Sequence, residues 1–156
     1  MKVQALWHVG YTVSDLDAAI HFYRDLLGFE LIARRMVDPD LAVALSGIAD
    51  AEIEIAFLDV PGTEQRDGSH DLELVHYHRP VETGASGYVS RPGSAHLAIV
   101  VDDAAAAYDE LRAAGVEFVS PPNLVAAGVR AGARMCYFRG PDGLTHELFQ
   151  PPPSAS

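Results

Sequence analysis

Two hydrophobic periods succeed one another along this chain, and the succession occurs twice. Short runs rich in β-branched residues, HVGYTV at 8–13 and HLAIVV at 96–101, predict strands. Each leads into an alanine-rich stretch with apolar residues near a 3.6 spacing, which predicts an amphipathic helix. The apolar positions are Ala18, Phe22, Leu26 and Leu27 in the first stretch, and Ala104, Tyr108, Leu111 and Ala114 in the second. Ser14, Asp15 or Asp17 is placed to cap the first helix, and Asp102 or Asp103 the second. Gly28 and Gly115 suit the left-handed position just past a helix end. Strand patterns then follow: FELIARRMV (29–37), EIEIAFL (52–58) and DLELVHY (71–77) in the first half. A turn at 62–69 separates the last two. The second half has VEFVS (116–120), ARMCYFR (133–139) and LTHELFQ (144–150), the last pair joined by the reversal Pro141-Asp142-Gly143.

These two series are copies of one pattern, 8–31 and 96–118. From each opening histidine a valine follows five positions on (Val13, Val101) and an aspartate seven (Asp15, Asp103). The copies slip by one residue between aspartate and glycine, a slip expected in the capping turn of the helix. Each half therefore reads strand, helix, three strands. The expected fold class is α+β: two βαβββ modules, about 5–80 and 94–151, forming a curved eight-stranded mixed sheet around a metal site. They are expected to make one domain over 1–153, with a Gly/Ser-rich linker at 84–94 and a frayed tail at 154–156.

Composition narrows the partners. A chain of 156 residues, 49% hydrophobic, suits one packed domain. Its 22 acidic against 11 basic residues give a formal charge of −11, opposite to what nucleic acid or an anionic membrane selects. The lone cysteine, Cys136, can form no internal disulfide. The opening MKVQALWHVGYTVSD lacks the layout of a secretory signal, and no stretch approaches roughly 20 apolar residues. A cytoplasmic protein with a small-molecule partner is expected.

The repeat also aligns chemistry. His8 and His96 open the first strand of their halves, while Glu73 and Glu147 lie in the last strand, in LELVHY and HELFQP. Singly, such a histidine is most often a hydrogen-bonded strand residue and such a glutamate a solvated one. A solvated face predicts no correspondence between halves, however, and four residues correspond. A curved sheet closing around the internal symmetry would converge two imidazoles and two carboxylates. Without a thiolate, this donor set suits one divalent ion per site: Zn, Ni, Co, Mn or Fe. Four ligands on an octahedral ion leave two positions for water or a bidentate substrate.

At HVGYTVSDLDAAIHFYRDLLGFEL, DLELVHYHRP, HLAIVVDD and FRGPDGLTHELFQP the sequence resembles the vicinal oxygen chelate superfamily. That group includes glyoxalase I, methylmalonyl-CoA epimerase, fosfomycin-resistance enzymes, extradiol dioxygenases and bleomycin-binding proteins. The resemblance runs from His8 to Gln150 and implies ligands at His8, Glu73, His96 and Glu147. It implies a lyase, isomerase or epimerase in which two neighbouring substrate oxygens chelate the ion and an enolate or enediolate is stabilised. Glu147 is implied as the first candidate base, with Glu73 able to serve the opposite face. Glu73 itself favours this chemistry, because its position is not a ligand in the dioxygenases. The alternatives are a ferrous extradiol dioxygenase using His8, His96 and Glu147, and an antibiotic-binding protein without catalysis. A homodimer is expected, each site built from two halves of one chain or from halves exchanged between chains.

Strand alternation places Tyr77 on the face of Glu73, a candidate substrate contact, and turns His76 and His78 away. His146 faces away from Glu147 by the same parity. His21 reads as a solvated helix residue, and Cys136 as a small apolar one. Arg91 reads as an exposed linker residue, and the stretch carrying it with Tyr88 matches no subgroup. Asp142 and Gly143 belong to the turn.

Overall fold

The computed structural model describes residues 7–62, 71–81, 90, 94–128 and 130–153. Tyr88, Arg91, most of the 84–94 linker, most of the 62–69 turn and the 154–156 tail lie outside them. The chain divides into two compact units, Met1–Gly84 and Ala85–Ser156, each with its own four-stranded mixed sheet. Eight strands are present, hydrogen-bonded as two sheets of four, and seven of them fall where expected. Among the described residues no helix is long and apolar enough to cross a membrane.

In the first module β1 (Val9–Thr12), β2 (Glu30–Met36), β3 (Glu52–Asp59) and β4 (Leu72–Arg79) are ordered β1-β4-β3-β2. The first strand pairs parallel to the last, because α1 (Leu16–His21) returns the chain across one face. Asp15 caps α1 by accepting from the Ala18 N–H at 2.9 Å. The cap sets the phase of the helix, so the buried stripe is Leu16, Ala19, Ile20 and Tyr23, not the expected Ala18, Phe22 and Leu26. This stripe lies on the sheet face of Leu58, Leu72 and Leu74, all fully buried. Each such side chain contributes roughly 1.5–3 kcal/mol by leaving water.

The one-residue slip between the copies has a structural address. Asp15 to Tyr23 matches Asp103 to Leu111 without a gap, and the next segment is wound as a π-helix, Phe22–Leu26. There Leu27 N–H donates to Phe22 O at 3.2 Å, and Phe29 N–H to Tyr23 O at 2.9 Å. In the second module α3 (Ala104–Ala113) closes one residue tighter. Gly115 N–H donates to Arg112 O and Val116 N–H to Leu111 O, a Schellman end with Gly115 at φ +90°. The extra residue therefore sits in the helix body, not in its capping turn.

One element is new. Between β2 and β3 a helix, α2 (Pro39–Ser46), packs Ala42 against Ala51, Ile53 and Ile55. Asp38 caps it, Pro39 opens it and Gly47 ends it at φ +70°.

The second module orders β5 (His96–Val100), β6 (Asn123–Leu124), β7 (Arg134–Arg139) and β8 (Thr145–Gln150) as β5-β8-β7-β6. Asp103 caps α3, and Ala104 and Leu111 are buried, with Tyr108 half-buried and Ala114 exposed at the cap. The expected strand 116–120 shrinks to one bridge, Phe118 to Phe138, flanked by two backbone hydrogen bonds. Pro121 and Pro122 follow it; having no N–H to donate, they interrupt the ladder, which resumes at β6.

Candidate metal centre

In the first module parallel pairing sets Gly10 opposite Glu73, one step from Leu72, which is buried beneath α1. Alternation sends Glu73 to the other face, together with His8, Gly10 and Thr12. His8 Nε2 lies 3.0 Å from Glu73 Oε2. The glycine keeps this pair approachable: a Cβ at Gly10 would stand 3.7 Å from Glu73 Oε2 and 4.0 Å from His8 Cδ2. A larger side chain would fill that space. Phe57, paired across β3, flanks Glu73 on its other side.

The second module repeats the arrangement. His96 opens β5, Ala98 pairs with Glu147 in β8, and His96 Nε2 lies 3.2 Å from Glu147 Oε2. Glu147 is the more protected carboxylate, its side chain 12% exposed against 18% for Glu73. Tyr137 stands opposite Glu147 across β7 and meets the His96 ring edge-on, centroids 5.4 Å apart. Sequence reasoning passed over Tyr137. The hairpin through Pro141-Asp142-Gly143 carried the signal, since its register sets which residue opposes Glu147.

Both pairs suit a divalent ion. Two donors about 2.1 Å from one ion and at right angles lie about 3.0 Å apart, close to both separations. The donors are imidazole nitrogens and carboxylate oxygens, the borderline-hard set that Zn, Ni, Co, Mn and Fe accept. Among the described residues His8 Nδ1 is buried without a hydrogen-bond partner, and the ring is held by its Nε2 contact with Glu73. Each module thus brings together one histidine and one glutamate. Among the described residues no group of three or more His, Cys, Asp or Glu side chains is gathered to hold an ion.

The other singled-out residues fall as follows. Tyr77 is on the face of Glu73, two pleats away, half-buried against Ala42, Ala51, Ile53 and Ile55. His76 and His78 are on the opposite face, where Val13 O lies 3.0 Å from His76 Nδ1 and Glu54 Oε2 3.0 Å from His78 Nε2. Arg34 completes that cluster by donating to Glu54 and Asp17. The Arg34 guanidinium, with His78 adding to it against the cost of burial, holds the Glu54 carboxyl below its ordinary value. His146 is fully buried facing away from Glu147, and burial pushes its imidazole down to about 4. Burial, with the Glu147 charge adding to it, pushes the Cys136 thiol up to about 11, an inert packing residue. His21 pairs with Asp25 at 2.6 Å on the exposed side of its helix. Asp142 (φ +54°) and Gly143 form the turn.

Residues 5–148 match the family model for the glyoxalase/bleomycin resistance protein/dioxygenase superfamily. The chain is 36% identical to a 2-epi-5-epi-valiolone epimerase of an Actinomyces species, over 97% of its own length and 81% of the relative's. It is 29% identical to a lactoylglutathione lyase of Arabidopsis thaliana over 94% of its length, spanning 44% of that enzyme. A glyoxalase family protein of Bacillus cereus superposes with a TM-score of 0.80 at 26% identity, covering 97% of both chains.

Proposed function

The chain belongs to the glyoxalase/bleomycin resistance protein/dioxygenase superfamily, and from that premise we propose that it is a divalent-metal-dependent epimerase or lyase. Its substrate is a small molecule offering two neighbouring oxygens. The observation that carries this reading is the repeated half-site: His8 with Glu73 at 3.0 Å and His96 with Glu147 at 3.2 Å, each on the sheet face its helix α1 or α3 leaves uncovered. Two half-sites joined give the four-ligand set, with modules drawn from one chain or from two chains of a cytoplasmic homodimer. A bound divalent ion supplies positive charge that stabilises the negative charge developing on the substrate oxygens.

The protein's own part is proton transfer. A carboxylate within hydrogen-bond reach of the carbon beside those oxygens takes its proton. Glu147, the better shielded carboxylate, takes the proton, and Glu73, from the other half-site and already protonated from solvent, gives one to the opposite face of the carbon. Two bases on two faces invert a stereocentre; one base serving two neighbouring carbons isomerises or completes a lyase reaction. Tyr77 borders the Glu73 side as a substrate contact. Relatives named epimerase and lactoylglutathione lyase support this class. The placement of Glu73 beside His8 favours it over ring-cleaving dioxygenase chemistry, which needs one carboxylate, and over an antibiotic binder, which needs none.

Two variants test the proposal. His96→Ala should lose most bound metal by elemental analysis while circular dichroism stays native. Glu73→Ala should weaken metal binding by at least tenfold, the cost of losing one of four donors, and abolish solvent-deuterium exchange into substrate. Unchanged metal in either variant, or ferrous-dependent oxygen uptake with a catechol, overturns it.

A further inference from the structure

Four arginines of the first module are described, and three of them hold carboxylates: Arg24 with Asp25, Arg34 with Asp17 and Glu54, Arg79 with Glu52. Arg35 holds none among the described residues. It is exposed on β2, the strand at the edge of the sheet. Its register partner is Ile55, so it projects on the face that carries Ile55, Phe57 and Glu73, away from the Arg34 cluster. The guanidinium leans over the Phe57 ring, 6.0 Å from its centroid. Phe57 in turn is the cross-strand neighbour of Glu73. A positive fork therefore stands one side chain beyond the His8–Glu73 pair, with an aromatic floor between them.

In a chain of formal charge −11, nearby acidic groups ordinarily claim a cation. An arginine that no described carboxylate claims, exposed on the face of the half-site, is available to a ligand. We propose that Arg35 recognises an anionic group, carboxylate or phosphate, at the end of the substrate remote from its two neighbouring oxygens. The fork geometry suits two oxygens of one oxyanion, and Phe57 offers an apolar surface to the carbon chain between. The substrate class that follows is a molecule with two neighbouring oxygens at one end and an anionic tail at the other. The inference rests on the metal-centre reading for the position of the vicinal oxygens, and on Arg35 alone for the charge.

Three probes share one α-hydroxycarboxylate chelating end and differ at the remote end, uncharged in gluconate and anionic in the two charged probes, 6-phosphogluconate and glucarate. Calorimetry on the cobalt-loaded protein should show 6-phosphogluconate, glucarate or both binding about tenfold or more tighter than gluconate, as expected for a charge-assisted contact. Arg35→Met should bring the charged probes to the affinity of gluconate, and Arg35→Lys should restore part of the preference. Which charged probe gains tells phosphate from carboxylate. Metal-dependent gluconate binding with no gain for either charged probe, or a gain that survives Arg35→Met, overturns the proposal and leaves the metal centre standing. If the protein binds no cobalt, the metal reading fails, and the metal-free protein decides Arg35 by nuclear magnetic resonance. A shift of the Arg35 side-chain Nε–Hε signal with 6-phosphogluconate or glucarate but not with the neutral polyol sorbitol supports it; no shift with either anion sinks it.

Discussion

His146 is a single buried residue with a consequence that can be measured. It is fully buried beside Phe138, ring centroids 5.2 Å apart, with Leu144 O 3.1 Å from its Nδ1. Burial disfavours the imidazolium, so its pKa of about 4 lies below the value near 6.5 it takes when unfolded. Between those values the unfolded chain binds the extra proton, so stability rises with pH across the window and falls on acidification. The loss from pH 7 to pH 4 is on the order of 3 kcal/mol from this residue. Urea midpoints of the metal-free protein should drop across that range, and His146→Leu should flatten the drop. An unchanged acid limb in the variant would show that other groups set it.

At the scale of elements, the β7–β8 hairpin depends on a glycine for reasons of space. Gly140 N–H donates to Leu144 O at 2.8 Å, which brings its α-carbon against the His146 ring. A Cβ there would stand 2.5 Å from Cε1 and 2.9 Å from Nδ1 of a ring too buried to move aside. Gly140→Ala should destabilise by about 1–3 kcal/mol through overpacking. His146→Ala costs stability alone, yet the double variant should lose clearly less than the two single losses added. Additive losses would disprove the contact. Local chemistry made most elements legible: Asp15 and Asp103 cap their helices as expected, and every expected strand but one forms. The exception fails where Pro121 and Pro122 remove two donors. Helix α2 went unread although Asp38-Pro39 and Gly47 mark both its ends, because its eight residues bury only Ala42 and show no apolar stripe.

For the whole molecule, each module carries one histidine and one glutamate, so the proposed four-ligand site requires two modules. A mixing experiment tells which two. His8→Ala and Glu147→Ala, each inactive, are unfolded together and refolded. Sites assembled within one chain leave every site defective, and activity stays absent. Sites assembled from exchanged modules yield heterodimers with one intact and one doubly defective site, and partial activity returns. A monomer by light scattering at micromolar concentration would remove the dimer from the proposal.

The sequence by itself determined the modular repeat, the strand–helix–three-strand order of each half and the four residues worth watching. All of these follow from period and spacing, which are local properties of a chain. Tertiary structure decided what spacing cannot carry. The parallel register of β1 on β4 and of β5 on β8 brings His8 to Glu73 across 65 residues and His96 to Glu147 across 51, since 73 − 8 and 147 − 96 give those separations. Pairing across β7 and β8 put Tyr137 beside His96, and pairing across β2, β3 and β4 put Arg35 beyond Glu73. Nothing local to those residues announces it, because a side chain's neighbours across a sheet are chosen by register, and register is settled by which faces bury together.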